Sequence, residues 1–226
     1  MEVVQAHLLA WGVLRDGAID GPRGRAETPD LLPLLFEAHA KLSDIFQARD
    51  PFWNDYRRLV RQQAESDRWE IAASTRAGFG PLLIRRLGRK AALGRWPAAA
   101  VARRLGCPRL AAPIDLAFED LLAALQLVDD VTDAEEDAAA GQVNAVLVAG
   151  RASAHAHGAL LHACIIRGIP VVVAAARVRL RRLSRCPGGI GDFSQWALAG
   201  LDDAERSSIE NIRHRAAASI LARVFE

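Results

Sequence analysis

Residues 121–128 read Leu-Leu-Ala-Ala-Leu-Gln-Leu-Val, and the chain then turns acidic without a break in its helical pattern, through Asp129-Asp130-Val131-Thr132-Asp133-Ala134-Glu135-Glu136-Asp137. Both halves of this junction ask for helix, one apolar and one charged. Asp129, Asp133 and Asp137 are spaced i, i+4, i+8. On a continuous helix each step of four turns by roughly 40° and rises about 6 Å, so the three carboxylates form one narrow ladder. The ladder is costly without a cation. Like charges at i, i+4 weaken a helix, and carboxylates repel the negative C-terminal end of the helix dipole, which Gly141 places close by. Two readings follow. One is a solvated acidic helix end. The other is a rim that binds hard divalent cations, with the apolar residues behind it holding a hydrocarbon tail.

The rest of the chain is helical in pattern as well. Asp50-Pro51 and Thr28-Pro29 each pair an N-cap residue with proline at the first helical position. Asp202 with Glu205, and Ser207 with Glu210, have capping-box spacing. Stops fall at Gly78, Gly141, Gly168 before Pro170, and the Pro187-Gly188-Gly189 loop. These signals predict helices over roughly 3–20, 30–47, 51–76, 81–106, 111–140, 151–167, 170–185 and 203–225. Pro97 is expected to kink the fourth, and Val171-Val172-Val173 suits a short strand that has no evident partner. With no repeat and no low-complexity linker, the expectation is one all-α domain over residues 1–226, a bundle of about eight helices.

The 29 basic and 27 acidic residues leave a net charge of +2, which argues for neither nucleic acid nor an anionic membrane as partner. No apolar run approaches the roughly 20 residues that span a bilayer, so no transmembrane segment is expected. The N-terminus lacks the pattern of a signal peptide. Cys107, Cys164 and Cys186 read as reduced thiols of a cytoplasmic protein.

The first expected helix repeats the layout of the acidic junction. Leu9, Gly12 and Val13 lead into Asp16 and Asp20, again i, i+4, with Gly21-Pro22 following. On the other helix the stripe runs Phe118, Leu122, Leu125 and Gln126 to Asp129. Two such helices would give a pocket with a dry floor and a metal-binding rim. Magnesium suits the rim, because it takes one or two carboxylates and completes its shell with water and phosphate oxygens. A ligand with a hydrocarbon tail and a diphosphate head also needs cationic partners, for which Arg89, Lys90, Arg23 and Arg25 are the candidates. Lys90 stands out because this arginine-rich chain has only two lysines, Lys41 being the other. Each of these basic residues also reads as a solvated surface group.

At these positions the chain resembles the class I isoprenoid synthases. Gly88-Arg89-Lys90-Ala91-Ala92-Leu93, followed after a gap by Leu125-Gln126-Leu127-Val128-Asp129-Asp130-Val131-Thr132-Asp133, is similar to the prenyl synthase pattern in which a Lys-Thr pair precedes FQxxDDxxD. Residues 126–142 also look like the second motif of phytoene synthases, with Asp133 to Asp137 as its DxxxD, and Asp16-Gly17-Ala18-Ile19-Asp20 resembles the first motif. The resemblance implies a helical bundle around a central cavity. Asp16, Asp20, Asp129, Asp133 and Asp137 would be magnesium ligands, and Lys90 a diphosphate contact. It further implies ionisation of an allylic prenyl diphosphate, then prenyl transfer or cyclisation with release of pyrophosphate, and a possible homodimer. Arg15 departs from the pattern, standing where prenyl synthases carry another aspartate. The first motif also begins at residue 16, whereas family members have several helices before it; the expectation is a minimal version or a start further upstream. These departures favour an alternative, a non-catalytic relative that binds prenyl diphosphate or a partner subunit.

Two further clusters read as structural. His155, His157, His162 and Cys164 have poor spacing for zinc on a helix. The basic stretch Arg177 to Arg185 reads as a charged helix face, with nucleic acid or an anionic surface as the functional alternative.

Overall fold

The computed structural model describes residues 28–72, 78–152, 157–186 and 188–224. Among these residues all regular structure is helical, as the periodicity requires. The elements are α1 (Thr28–Ile45), α2 (Phe52–Ala72), α3 (Pro81–Lys90), α4 (Trp96–Arg104), α5 (Ala111–Thr132), α6 (Ala134–Ala140), α7 (Ala145–Ala149), α8 (Gly158–Leu183) and α9 (Gly189–Val224), with single 3-10 turns at Ala92–Arg95 and Pro108–Leu110. The expected helix at 3–20 lies outside the described residues.

The described chain forms two compact units, each with its own core. One takes the described residues up to Gln63 together with Ala91–Asp115; the other takes Ala64–Lys90 and the described residues from Leu116 onward. The first unit is organised by aromatics. Phe46 stacks on Phe52 with centroids 4.0 Å apart, and Phe52 meets Trp96 edge to face. Leu42, Leu59 and Leu93 fill the space around them. Asp50 caps α2 as its sequence suggests, its carboxylate accepting the Phe52 amide at 2.8 Å. Arg95, fully buried, lies 3.4 Å from Asp115, which also takes Arg58 at 2.9 Å.

The second unit holds the acidic junction. Its core joins Leu83 and Leu87 of α3, Ala124, Leu127 and Val131 of α5, Val146 of α7, Ile165, Ile169, Val172 and Leu180 of α8, and Leu201 of α9. Three glycines let backbones meet directly. A Cβ on Gly88 would fall 2.6 Å from the Glu119 carbonyl oxygen, so α3 lies against α5 without side chains between them. A Cβ on Gly168 would fall 2.1 Å from the Val146 carbonyl oxygen, and one on Gly150 2.0 Å from that of Cys164, which seats α7 on α8.

This docking corrects several sequence expectations. Gly168 is a packing position and not a stop, and α8 runs unbroken through Pro170 for 26 residues. Proline removes one helical hydrogen bond, but the buried stripe of Ile165, Ile169, Val172, Ala176 and Leu180 continues on both sides and holds the helix together. Val171-Val172-Val173 is therefore helix, not strand. Rejoining the two halves also changes the membrane reading. By length and composition α8 is long and apolar enough to cross a bilayer, a test that core helices of helical bundles also pass. In this unit its Ile165, Ile169 and Val172 are core residues.

The last expected helix begins earlier than residue 203. Asp202 and Glu205 lie inside α9, where both bond Arg177 of α8 instead of capping a helix start. Pro97 kinks nothing: the chain has already tightened into the 3-10 turn at Ala92–Arg95, and Pro97 sits in the first turn of α4, where its missing amide is harmless. Finally, the single helix expected over 111–140 is broken at Asp133.

Candidate functional site

The acidic junction is a bend between two helices. Asp133 leaves helical geometry (φ −102°, ψ 6°) and stands at the N-cap of α6. No glycine or proline causes this. The Thr132 hydroxyl stands at the break, 2.8 Å from the Asp129 carbonyl and 2.9 Å from the Asp133 carboxylate, with one proton to donate to either, the kind of local bond that competes with a helical ladder. The i, i+4 relation nevertheless survives, because the Asp133 amide still reaches the Asp129 carbonyl (3.0 Å) and the Asp137 amide the Asp133 carbonyl (2.9 Å). The bend also changes the electrostatics. Glu135, Glu136 and Asp137 fall in the first turn of α6, where the dipole favours them. Of the run, Asp129 and Asp130 alone remain at the unfavourable C-terminal end of α5.

Behind the bend lies a buried polar network. Asp130 is only 3% exposed. Its carboxylate accepts the Ala145 amide at 2.7 Å and the Gln126 side-chain amide at 3.1 Å. Gln126 also donates to Asp129 at 3.1 Å. Asn144, likewise buried, joins three elements. Its Nδ2 donates to the Asp130 carbonyl (2.8 Å) and to the Asp137 carboxylate (2.7 Å), while its Oδ1 caps α7 by accepting the Val146 amide (2.8 Å). Gly141, in the left-handed conformation at φ 71°, ends α6 and turns the chain towards Asn144.

Burial pushes the Asp130 carboxyl up to about 7, against the opposing pull of the Ala145 amide, Gln126 and the Lys90 charge. Asp137 is raised as well, chiefly by burial; Asn144 and Lys90 oppose this, and the neighbouring Asp133 and Asp129 add to it. The acidic turn therefore carries unfavourable negative charge that a cation would relieve. Lys90, the last residue of α3, is close enough to act on both Asp130 and Asp137.

Of the residues singled out in the sequence, the structure brings together Asp129, Asp133, Asp137 and Lys90. Arg89 points to Glu119, its Nε 3.3 Å from that carboxylate. Asp16, Asp20, Arg23 and Arg25, and Arg15 beside them, lie outside the described residues. His155 does too, while His162 is buried and bonded to Glu135 at 2.7 Å, so that pair is structural. The sequence reading overlooked Asp130 and Asn144. Both had a signal: Asp130 falls in the buried stripe with Ala123, Leu127 and Val131, and Asn144 follows a left-handed glycine and precedes an apolar helix as an N-cap does.

Among the described residues no group of three or more acidic, histidine or cysteine side chains is arranged to hold a metal ion. The donor chemistry does fit the sparser kind of site that magnesium uses. All ligands on offer are carboxylate oxygens, and one or two suffice when water and phosphate complete the shell. After burial, the charges of Asp133 and Asp129 add to the cost of ionising Asp137, a cost that a bound cation would lower. No protein-family model, curated protein or solved structure matches this chain.

Proposed function

We propose that the chain is a magnesium-dependent class I isoprenoid synthase that ionises an allylic prenyl diphosphate and then transfers or cyclises the prenyl chain, releasing pyrophosphate. The observation that carries this reading is the position of Lys90. It comes from the end of a separate helix, yet its charge acts on the carboxylates of the acidic bend, an arrangement of one compact cation beside a carboxylate rim that suits a metal-bound diphosphate. In this reading Asp129, Asp133 and Asp137 hold magnesium. Bound there, the metal supplies Lewis-acid stabilisation of the diphosphate leaving group. Lys90 meets the charge that develops on the departing phosphate oxygens. The apolar face of α5 behind the acids keeps water from the cationic end of the prenyl chain.

The test is incubation with geranyl, farnesyl and geranylgeranyl diphosphate, with and without isopentenyl diphosphate, in the presence of magnesium. Pyrophosphate release that disappears with a chelator is expected; no release from any of the three sinks the catalytic reading. One observation favours the alternative, a non-catalytic relative that binds prenyl diphosphate: Asp130 and Asp137 are already satisfied by Ala145, Gln126 and Asn144. A thermal shift with magnesium and a non-hydrolysable prenyl diphosphate analogue, without product from the natural substrates, distinguishes it.

A further inference from the structure

The end of the α8–α9 hairpin combines two surface features that the proposed reaction does not use. The last turns of α8 carry Val178, which is 67% exposed, with Arg181 and Arg182, and the turn that follows carries Arg185; all three arginines are on the surface. The first turns of α9 carry Phe193 and Trp196, 38% and 69% exposed, with ring centroids 5.3 Å apart. Both sets lie at one end of the hairpin. The Gln195 side chain donates to the Ser184 carbonyl at 3.4 Å. A Cβ on Gly191 would fall 2.0 Å from the Cys186 carbonyl oxygen, so the first turn of α9 packs directly on the turn that leaves α8.

The charge at this end is predominantly basic. Arg182 meets Asp120 at 3.2 Å but remains 77% exposed, and Asp192 is the acidic residue in the first turn of α9. A tryptophan and a phenylalanine held together in water, with a valine, beside an excess of arginines, have a matching environment at the boundary between lipid headgroups and acyl chains. There the rings sit at headgroup depth, and arginines meet the negative surface potential of acidic lipids. We infer that this hairpin end is a docking surface for an acidic phospholipid bilayer, with Phe193, Trp196 and Val178 entering the interface and Arg181, Arg182 and Arg185 on lipid phosphates. Single-stranded nucleic acid is the rival partner, since bases stack on aromatic rings; Val178 gives bases nothing to stack on, whereas it adds apolar area at a lipid interface. The surface stands apart from the catalytic reading and from its test.

The experiment is sedimentation of the full chain with vesicles of phosphatidylcholine alone and of phosphatidylcholine with about a third phosphatidylglycerol. Binding to the acidic vesicles, weak binding to the neutral ones and release by salt are expected. Arg181→Glu with Arg185→Glu is expected to reduce partitioning by about tenfold or more, and Phe193→Ala with Trp196→Ala by a similar factor. Thermal melts check that each variant is folded, and Arg181→Gln with Arg185→Gln is the milder pair if charge reversal lowers the melting temperature. No vesicle binding, equal binding to both vesicle types, or variants that bind as the parent does would each overturn the inference. So would binding of single-stranded DNA with the same residue dependence and no binding of vesicles.

Discussion

Asn144 bonds α5, α6 and α7 with a single side chain. Removing it leaves the Asp137 carboxylate, the Asp130 carbonyl and the first amides of α7 without their partner. Asn144→Ala is therefore expected to cost about 1–3 kcal/mol, read by urea unfolding. Asp130 makes the complementary prediction in pH. Its folded pKa, about 7, is above the ordinary 3.8, so the folded state holds the proton more tightly than the unfolded one. Ionising it costs stability: the penalty is absent below the ordinary value, grows as pH rises and is complete above about 7. The stability of the parent relative to Asp130→Asn should fall between acidic and neutral pH and level off above neutrality. A flat difference would mean that folding leaves the Asp130 carboxyl at its ordinary pKa. At this scale the sequence was partly legible. Asp129, Asp133, Asp137 and Lys90 showed themselves by type and spacing, while Asp130 was masked because an aspartate next to another aspartate reads as more of the same surface charge.

The elements show where local pattern is overruled. Gly168 and Pro170 together form a strong stop signal, yet α8 ignores it, because what glycine supplies there is room for the Val146 carbonyl. Gly168→Ala is expected to destabilise by about 1–3 kcal/mol or more, since the atom it meets is backbone and cannot rotate away; a thermal or urea melt checks it. A melt unchanged from the parent would remove the close approach of α7 and α8. The break at Asp133 is the opposite case, a helix that stops where no stop signal stands. A threonine hydroxyl bonded to the Asp129 carbonyl stands at the break, and the bend is tolerated because it moves three acidic residues from the wrong end of one dipole to the right end of another. The caps at Asp50 and Gly141 were legible, since both act through bonds to their own neighbours in sequence.

For the whole molecule, the all-α class follows from periodicity alone, whereas the division into two cores does not. Apolar stripes state that a helix must bury a face and leave open which helix it meets. The proposed function belongs to this scale too, because Lys90 and the acidic bend belong to different helices. Lys90→Met is expected to slow pyrophosphate release by about 100-fold or more at saturating magnesium, with the melting temperature little changed; an unaltered rate would confine Lys90 to a structural role beside Asp130. Reading along the chain was enough to recognise the helical class and the acidic junction, because each rests on interactions within a few residues. The joining of α8 through Pro170, the bend at Asp133, the burial of Asp130 and the arrival of Lys90 at the acids required the packed structure. They depend on backbone approach, desolvation and charge between segments far apart in the chain, which local periodicity does not encode.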